Sequence, residues 1–408
     1  MDFSRALKLE SDKSFGAEYK NALLKKSLLM HLAVNGEETI AELAKELNIS
    51  VPTVTKLVAE LKDDGLLEDY GKIETAGGRR PNVYGLCGST FYFLGVDIRR
   101  RGIELVLLNF NGEIISKKDD IHFVLEDSME AFNGVCQEIL LFIEMCGISK
   151  DKIVGLGVSM TGRVNAHEGN SYTFFNFNEI SLAKLLEQRI GISTYIENES
   201  RAMMYAEKSF GVIRDEKNVL FLSLGRGIGA GIMLNGKIYY GKTGFAGEFG
   251  HIPIFNNEII CHCGKKGCLE TEASGIALEK MFIKHLKNGE NSVLFNQWKA
   301  GQEILLYDII EAANSDDMLA ISLIEEMAAK LGRGVGILIN LLNPDLVVFG
   351  GSLALTGDYL MLPMKAAVNK YSLSLVNRDT RFKLSTLGEN ASAIGVAILL
   401  RDKMLGII

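Results

Sequence analysis

The chain has 408 residues, more than one hydrophobic core usually fills, so we expect two or three domains. The formal net charge of -7 excludes a protein that coats nucleic acid by charge alone, whereas 47% hydrophobic and 23% charged residues are typical of a chain that folds throughout. Charges recur every few positions at the N-terminus and no run of about 18 apolar residues occurs, so we expect neither a secretion signal nor a membrane span, and a cytoplasmic location.

Three helices are predicted first in chain order. Leucines recur at helical spacing in residues 20–36 and predict a helix with a buried side formed by Leu23, Leu24, Leu28, Leu29 and Leu32. Thr39 and Glu42 have the spacing of a capping box, which predicts that a second helix begins there. Ser50 suits the N-cap of a third helix because Pro52 then lies in the first turn, where its missing N–H costs little. The buried face of that helix is predicted to consist of Val54, Leu57, Val58 and Leu61.

This is a helix-turn-helix pattern, and the exposed start of the third helix is its candidate DNA-binding face. The positions expected to face base edges in the major groove are Pro52, Thr53 and Lys56. The hydroxyls expected to hold phosphates are those of Ser50 and Thr55. Residues 1–85 contain 12 basic and 14 acidic residues, so any contact with DNA must be local.

A strand, turn and strand pattern follows over residues 66–86. Two glycines and a proline predict a turn at its tip, which carries Arg79 and Arg80. Two arginines on a flexible tip suit insertion beside or into a minor groove, where the phosphate potential is strongest. We therefore predict a winged helix-turn-helix DNA-binding domain with an N-terminal arm over residues 1–86. The alternative is a protein-interaction module built from the same elements.

The rest of the chain contains an internal repeat. Residues 93–115 and 220–240 each predict a strand, a tight loop, a second strand, Asn-Gly and a third strand. The Asn-Gly pairs at 111–112 and 235–236 predict type I′ turns, which need positive φ at both central residues. Helix and strand patterns alternate after each repeat, which predicts two similar α/β halves that face a cleft.

The second repeat contains the loop GRGIGAG at 225–231, with four glycines in seven residues. Glycines let backbone N–H groups approach and cradle an anion. Tight turns between strands use glycine in the same way, so the loop by itself is only weak evidence for phosphate binding.

The most specific local pattern is a cysteine cluster. Half of the six cysteines, Cys261, Cys263 and Cys268, lie within eight residues. In a cytosolic protein such packing favours metal binding over disulfides, and Zn²⁺ takes four ligands in a tetrahedron. We choose His251 as the fourth ligand, because His262 lies between two of the cysteines and is too constrained to share a site with both. Four protein ligands predict a structural zinc ion. The alternative is three buried cysteines without a metal.

Together these motifs resemble those of the ROK family (repressors, open reading frames and kinases), in its NagC/XylR-like and Mlc-like regulator branch. The resemblance covers nearly the whole chain and is carried by the segment ending in GGRRP, by GVSMTG, by GRGIGAGIMLNGKIYYG and by AGEFGH with CHCGKKGCLE. It implies an actin-like, hexokinase-type (ribonuclease H-like) two-domain α/β body behind the winged domain. We expect domain I over residues 87–197 and 382–408, and domain II with the zinc loop over residues 198–381.

The resemblance also implies which residues bind ligands. The family's zinc ligands fall on the four residues chosen above. Its sugar-binding positions fall on Asn198, Glu199, Glu248, His251 and Glu270, and carboxylates and amides of this kind suit vicinal hydroxyls. Zinc is expected to hold one ring nitrogen of His251 so that the other faces the sugar.

Two departures from the family pattern argue against catalysis. Kinases of the family are expected to have Asp-x-Gly-Gly-Thr where this chain has DIRRR at 97–101, and side chains in place of glycine obstruct the close approach of a phosphate. The family's catalytic aspartate is Glu199 here, and one methylene displaces a general base by about an ångström. Ser200 and Arg201 also differ from the pattern. We therefore predict no catalytic residue, with Glu199 as a degenerate base position.

The leading prediction is a sugar-responsive transcriptional repressor that binds operator DNA and a sugar or sugar phosphate effector. Two half-sites need two readers, so we expect a homodimer or homotetramer. The alternative is an ATP-dependent kinase for glucose or an N-acetyl amino sugar with an appended winged domain. A third hypothesis is a body that binds a protein partner, and no membrane partner is expected. Phosphorylation of a hexose or amino sugar with ATP would favour the kinase.

Overall fold

The computed structural model describes residues 17–72, 81–177, 180–388 and 391–408. The chain forms two compact units, Met1–Glu197 with Val396–Ile408 and Asn198–Gly395, called the first and second unit below. The first unit holds a small N-terminal domain and a five-stranded sheet, and the second unit holds another five-stranded sheet. Within the described ranges, no helix combines the length and the apolar character needed to cross a membrane.

The N-terminal domain begins with three helices: α1 (Ala17–Asn35), α2 (Ile40–Glu46) and α3 (Val51–Asp63). The predicted capping box is confirmed, because the Thr39 hydroxyl accepts the N–H of Glu42 at 3.2 Å and the Glu42 carboxylate accepts the N–H of Thr39 at 2.9 Å. The side chain of Ser50 caps α3 as predicted. The predicted buried face of α3 is also confirmed, and it consists of Val54, Leu57, Val58 and Leu61.

Helix α1 buries less of its leucine face than its pattern predicts. Leu28, Leu29 and Leu32 are buried as expected, whereas Leu23 is 43% exposed, so that prediction is wrong. The inward stripe continues from these leucines to Lys25, one turn earlier, and Lys25 pairs with Glu60 and Asp64 at the end of α3. The start of α1 therefore packs through polar contacts, and Leu23 points away from them.

Three strands complete the N-terminal domain: β1 (Glu38–Thr39), β2 (Leu67–Lys72) and β3 (Asn82–Leu86). Their order is β1-β3-β2, and β2 pairs antiparallel with β3 from Leu67 opposite Leu86. These strands and the three helices form the predicted winged helix-turn-helix. The predicted tip of the wing, with Arg79 and Arg80, lies outside the described residues.

The strands of the first large sheet are β4 (Tyr92–Arg99), β5 (Gly102–Asn109), β6 (Ile114–Ile121), β7 (Ile153–Met160) and β10 (Thr194–Asn198). A separate short pair is formed by β8 (Val164–Asn165) and β9 (Asn170–Ser171). The strands of the second large sheet are β11 (Val219–Leu224), β12 (Ile228–Leu234), β13 (Lys237–Ile238), β14 (Leu346–Gly350) and β15 (Arg381–Leu384).

The two large sheets have one strand order. The first reads β6-β5-β4-β7-β10 and the second reads β13-β12-β11-β14-β15. In the first sheet β4 pairs antiparallel with β5 and parallel with β7. In the second sheet β11 pairs in the same way with β12 and β14. The predicted internal repeat is therefore confirmed at the level of topology.

The two Asn-Gly turns differ. Asn235 and Gly236 have φ of 52° and 78°, which confirms the predicted type I′ turn between β12 and β13. Between β5 and β6 only Gly112 is left-handed, with φ of 89°, and its N–H donates to the carbonyl of Asn109 at 3.0 Å. The type I′ prediction is wrong there because the turn closed by this hydrogen bond has Phe110 and Asn111 at its centre, and Phe110 is fully buried.

Helices cover both sheets. Those of the first unit are α4 (Met129–Met145) and α5 (Leu182–Ile190), and their apolar faces join the core of the first sheet. Those of the second unit are α6 (Glu199–Ser209), α7 (Glu270–Ala273), α8 (Gly275–Lys287), α9 (Phe295–Lys299), α10 (Leu306–Asn314), α11 (Met318–Leu342), α12 (Asp358–Tyr371) and α13 (Ser374–Asn377). The last helix, α14 (Ala391–Leu405), contributes residues to both units. Short 3₁₀ helices are Lys150–Lys152, Phe249–His251 and Ser352–Thr356.

Candidate functional site

The exposed start of α3 holds the residues predicted to contact DNA. Pro52, Thr55 and Lys56 are exposed, and the Lys56 side chain is 73% accessible. The hydroxyls of Ser50 and Thr53 lie 2.7 Å apart, and that of Thr55 donates to a backbone carbonyl one turn earlier at 2.8 Å. These three hydroxyls therefore form hydrogen bonds within α3 and its cap. Lys56 extends a cationic side chain from this face.

The four predicted zinc ligands lie together in the second unit. One ligand atom from each of His251, Cys261, Cys263 and Cys268 lies within 4.8 Å of all the others. The Sγ atoms of Cys263 and Cys268 are 3.7 Å apart, and Sγ of Cys261 is 3.5 Å from Nδ1 of His251. A tetrahedral zinc with Zn–S of about 2.3 Å and Zn–N of about 2.05 Å needs separations of about 3.8 and 3.5 Å. The donor set and its spacing therefore fit zinc.

A second group of possible ligands overlaps the first. His251, His262 and Glu270 also place ligand atoms within 4.8 Å of one another. Nδ1 of His262 lies 2.9 Å from Oε1 of Glu270, and the His262 side chain is 66% exposed. This group has three ligands and no thiolate, whereas the four-residue group fills a tetrahedron with three soft ligands. The four-residue group is the better zinc site.

His251 has different neighbours on its two ring nitrogens. Nδ1 faces the cysteines, and Nε2 lies 3.8 Å from Oε2 of Glu248. Both residues belong to the short segment that forms the 3₁₀ helix Phe249–His251, which explains their proximity. The side chain of Glu248 is 42% exposed, so this edge of the cluster is open to a solute.

Side chains pack directly against the glycines of the GRGIGAG segment, which includes the β11–β12 turn and the start of β12. The N–H of Ile228 donates to Oε2 of Glu270 at 3.1 Å, and a Cβ on Gly227 would lie 2.7 Å from that oxygen. A Cβ on Gly229 would lie 2.1 Å from the hydroxyl oxygen of Ser200. Glycine is therefore required here because Glu270 and the first turn of α6 pack directly on the backbone.

The start of α6 carries the two other residues predicted to bind sugar. Asn198 caps α6, since its Oδ1 accepts the N–H of Ser200 at 3.0 Å, and Glu199 is the first residue of the helix and is half-buried. The Ser200 hydroxyl is buried and has no hydrogen-bond partner among the described residues. Ser200 and Glu270 both contact the start of β12, so α6 and the metal loop meet at this strand.

Arg201 is a residue of this region whose role was not predicted. It is 3% exposed, its Nη1 donates to the carbonyl of Gly244 at 2.9 Å, and its guanidinium lies 5.2 Å from the centre of the Tyr240 ring. It thereby ties α6 to the segment that leads to Glu248. The sequence indicated only that Arg201 differs from the family pattern at this position. It did not indicate which groups Arg201 contacts.

The β4–β5 tip of the first unit contains the DIRRR sequence. Arg99 donates through Nε to Oδ2 of Asp97 at 2.7 Å and contacts Glu104 through Nη2. Both acids are buried, and burial raises the pKa of Glu104 to about 7 against the opposing effect of Arg99. The guanidinium of Arg100 lies 5.5 Å from the centre of the Phe174 ring. Arg99 and Arg100 are thus engaged within the unit.

A winged DNA-binding domain, two α/β units with the same sheet topology and a four-ligand loop define a regulator-type architecture on an actin-like, hexokinase-type body. Residues 93–403 match the model of the ROK family, and residues 23–80 match the model of the MarR family. The chain therefore belongs to the ROK family.

Similar proteins support this assignment. The putative xylose repressor of Caldicellulosiruptor sp. (strain Rt8B.4) is 30% identical over 94% of this chain and 95% of its own length. The solved structure of a ROK family transcriptional regulator, a homolog of the E. coli MLC protein, is 26% identical with a TM-score of 0.78 over 96% of this chain and 99% of that one. A ROK family glucokinase from Streptomyces griseus, in complex with glucose and AMPPNP, is 25% identical with a TM-score of 0.66 over 76% of this chain and 98% of that one. The predicted family and fold class are confirmed.

Proposed function

We propose that this chain is a transcriptional repressor that binds operator DNA through α3 and the wing and responds to a sugar or sugar phosphate bound in the second unit. The observation that carries the proposal is the exposed start of α3 in the same chain as a polar cluster suited to sugar hydroxyls. A regulator of this kind needs both a DNA reader and a ligand whose affinity differs between two states of the protein. Paired readers imply a homodimer or homotetramer.

The effector site in this proposal consists of Asn198, Glu199, Glu248, His251 and Glu270. Carboxylates accept hydrogen bonds from hydroxyls, whereas an amide and an imidazole can both donate and accept. Support comes from the contacts of Glu248 with His251 and of Glu270 with the start of β12. Arg201 supports the site by holding the segment before Glu248 against α6.

A structural zinc ion bound by His251, Cys261, Cys263 and Cys268 belongs to the same proposal. These four residues would hold the metal, and a bound ion would crosslink the loop. Coordination through Nδ1 of His251 would leave the ring proton on Nε2, the nitrogen nearest Glu248. His251 would therefore present a hydrogen-bond donor on the side of Glu248, which suits a hydroxyl shared between the two.

We further propose that the body does not catalyse phosphoryl transfer. Arg99 is paired with Asp97 and Glu104 at the tip where the family's kinases are expected to have glycines. Glu199, at the position where the family's kinases are expected to have the catalytic aspartate, is one methylene longer than that residue. The second candidate, a sugar kinase, is favoured by the likeness to the glucokinase from Streptomyces griseus. Domain boundaries after residues 86 and 197 are part of the proposal; the expected boundary after residue 381 falls within β15, which pairs with β14 in the second unit, and that unit extends to Gly395.

One experiment separates these functions. DNA sequences are selected from a random library with the purified protein, and their affinity is measured with and without D-xylose, D-glucose, N-acetylglucosamine and glucose 6-phosphate. The same sugars are incubated with ATP in a coupled assay for ADP. We expect a selected DNA motif, a change in its affinity of at least about fivefold with one sugar, and no sugar-dependent ADP. Sugar-dependent ATP consumption at enzymatic rates, or no enrichment of any sequence, would refute the proposal.

A further inference from the structure

Helix α1 of the winged domain ends without a cation of its own. The last turn of α1 contains no basic residue, although the exposed carbonyls of a helix C-terminus favour positive charge. Arg401 of α14 supplies that charge from elsewhere in the first unit, because its Nη2 donates to the carbonyl of Ala33 at 3.2 Å. The positive charge at the C-terminus of α1 is therefore supplied by Arg401 of the C-terminal helix α14.

The same guanidinium also reaches the body. Nη1 of Arg401 lies 3.4 Å from the carbonyl of Phe110 in the β5–β6 turn. Oδ1 of Asp402 accepts from Nη2, which also contacts Ala33, at 2.8 Å and from Nε at 2.9 Å. Arg401 is 4% exposed, and the charge is neutralised by Asp402, which is also buried. Burying a guanidinium costs free energy unless its N–H donors are hydrogen-bonded. The acceptors here come from α1, the β5–β6 turn and α14, so the contact depends on the relative positions of these three segments.

A second contact joins the winged domain to the same turn. The hydroxyl of Tyr70, on wing strand β2, accepts the side-chain N–H of Asn111 at 3.0 Å and donates to the carbonyl of Leu86 at 2.8 Å. Burial raises the pKa of Tyr70 to about 12, so the hydroxyl stays protonated and can donate at any physiological pH. The β5–β6 turn is thus contacted directly by the wing through Tyr70 and by α14 through Arg401.

Helix α14 also packs against the helix that begins at the proposed effector site. Gly395 of α14 lies so close to α6 that a Cβ there would be 1.9 Å from the carbonyl oxygen of Ala202. Glu207 of α6 accepts the N–H groups of Thr386 and Leu387, which lie just before α14, both at 3.1 Å. A displacement of α6 when Asn198 and Glu199 engage a ligand must therefore be accommodated by the start of α14.

We propose that Arg401 is a positioning residue through which α14 couples the effector site to the DNA-binding domain. The contact of Arg401 with Ala33 and Phe110 holds the winged domain on the body, and α6 and α14 relay effector binding to that contact. This inference rests on the proposed function for its ligand, whereas the holding contact itself is independent of any ligand.

The test uses the full-length protein and three variants. Arg401→Lys keeps the charge beside Asp402 but cannot reach both carbonyls, and the pair Arg401→Met with Asp402→Asn removes the contact without leaving an unpaired buried charge. Arg381→Met is the matched control, because it removes an arginine that pairs with the buried Glu216 in the second unit. Hydrogen exchange is measured for amides in residues 31–36. The affinity for the DNA selected by the wild-type protein is measured with and without the four sugars named above.

We expect exchange in residues 31–36 to be about tenfold faster in both Arg401 variants and unchanged in the control. The sugar-dependent change in DNA affinity should fall from at least about fivefold to under about twofold, while the sugar still raises the Tm of each variant. Unchanged exchange, or a full sugar response in a variant with faster exchange, would overturn the inference. If no sugar alters the DNA affinity of the wild type, the proposed effector function fails. The exchange result then decides alone whether Arg401 holds the winged domain.

Discussion

Removal of the proposed zinc ion is the most direct perturbation of the second unit. Between His251 and Cys268 the chain forms a loop of 18 residues whose only strand-like pairs are the isolated bridges Pro253–Cys268 and Ile260–Lys266. A crosslink that closes a loop of about this length is worth roughly 3 kcal/mol through the entropy of the unfolded chain. For a unit of about 200 residues, a loss of that size lowers the Tm by roughly 6–12 °C.

The assay combines metal content with thermal unfolding. Cys263→Ser should abolish stoichiometric zinc and lower the Tm by the amount above, and a chelator should have the same effect on the wild type but little further effect on the variant. His262→Asn is the matched control within the loop, and it should retain zinc because the four-ligand group does not use His262. Retention of zinc by Cys263→Ser together with its loss from His262→Asn would show that the alternative group of His251, His262 and Glu270 binds the metal instead.

Three further predictions concern other parts of the chain. Arg201→Met removes a charged hydrogen bond to Gly244 and a cation–π contact, so sugar binding measured by calorimetry should weaken at least about tenfold while zinc content is unchanged; equal affinity would contradict the role given to Arg201. Glu104 has a pKa raised from 4.5 to about 7, so its protonation stabilises the fold fully below about pH 4.5 and that contribution, about 3 kcal/mol, is lost as the pH rises through 7. The free energy of unfolding measured in urea should therefore depend less on pH in Glu104→Gln than in the wild type. Equal slopes of that free energy against pH in the two proteins would contradict the assignment. Lys56→Ala should weaken binding of selected DNA several-fold, because the exposed Lys56 is predicted to face base edges, and an unchanged affinity would exclude Lys56 from the DNA interface.

Local features of the fold followed from short stretches of sequence. The caps at Thr39 and Ser50 depend on side chains three residues from their partners, so spacing alone located the starts of α2 and α3. The Asn235-Gly236 turn depends on two residues that tolerate positive φ. The four-ligand group was also predictable, because three of its cysteines are neighbours in the chain and an ion that needs four ligands restricts the choice of the last.

Other features were decided only when distant segments packed together. Leu23 is exposed, and Lys25 lies on the inward side of α1 in its place. The cause is the position of Glu60 and Asp64 at the end of α3, which the pattern within α1 does not contain. The glycine-rich loop resembled an anion cradle, yet Ser200 and Glu270 occupy the space beside its glycines. Arg401 lies in an apolar helix 368 residues from Ala33, whose carbonyl accepts its hydrogen bond. Sequence determines contacts that recur at fixed short spacing, whereas the partner of a buried charge is set by which segments meet in three dimensions, because burial is tolerated only where every donor is satisfied.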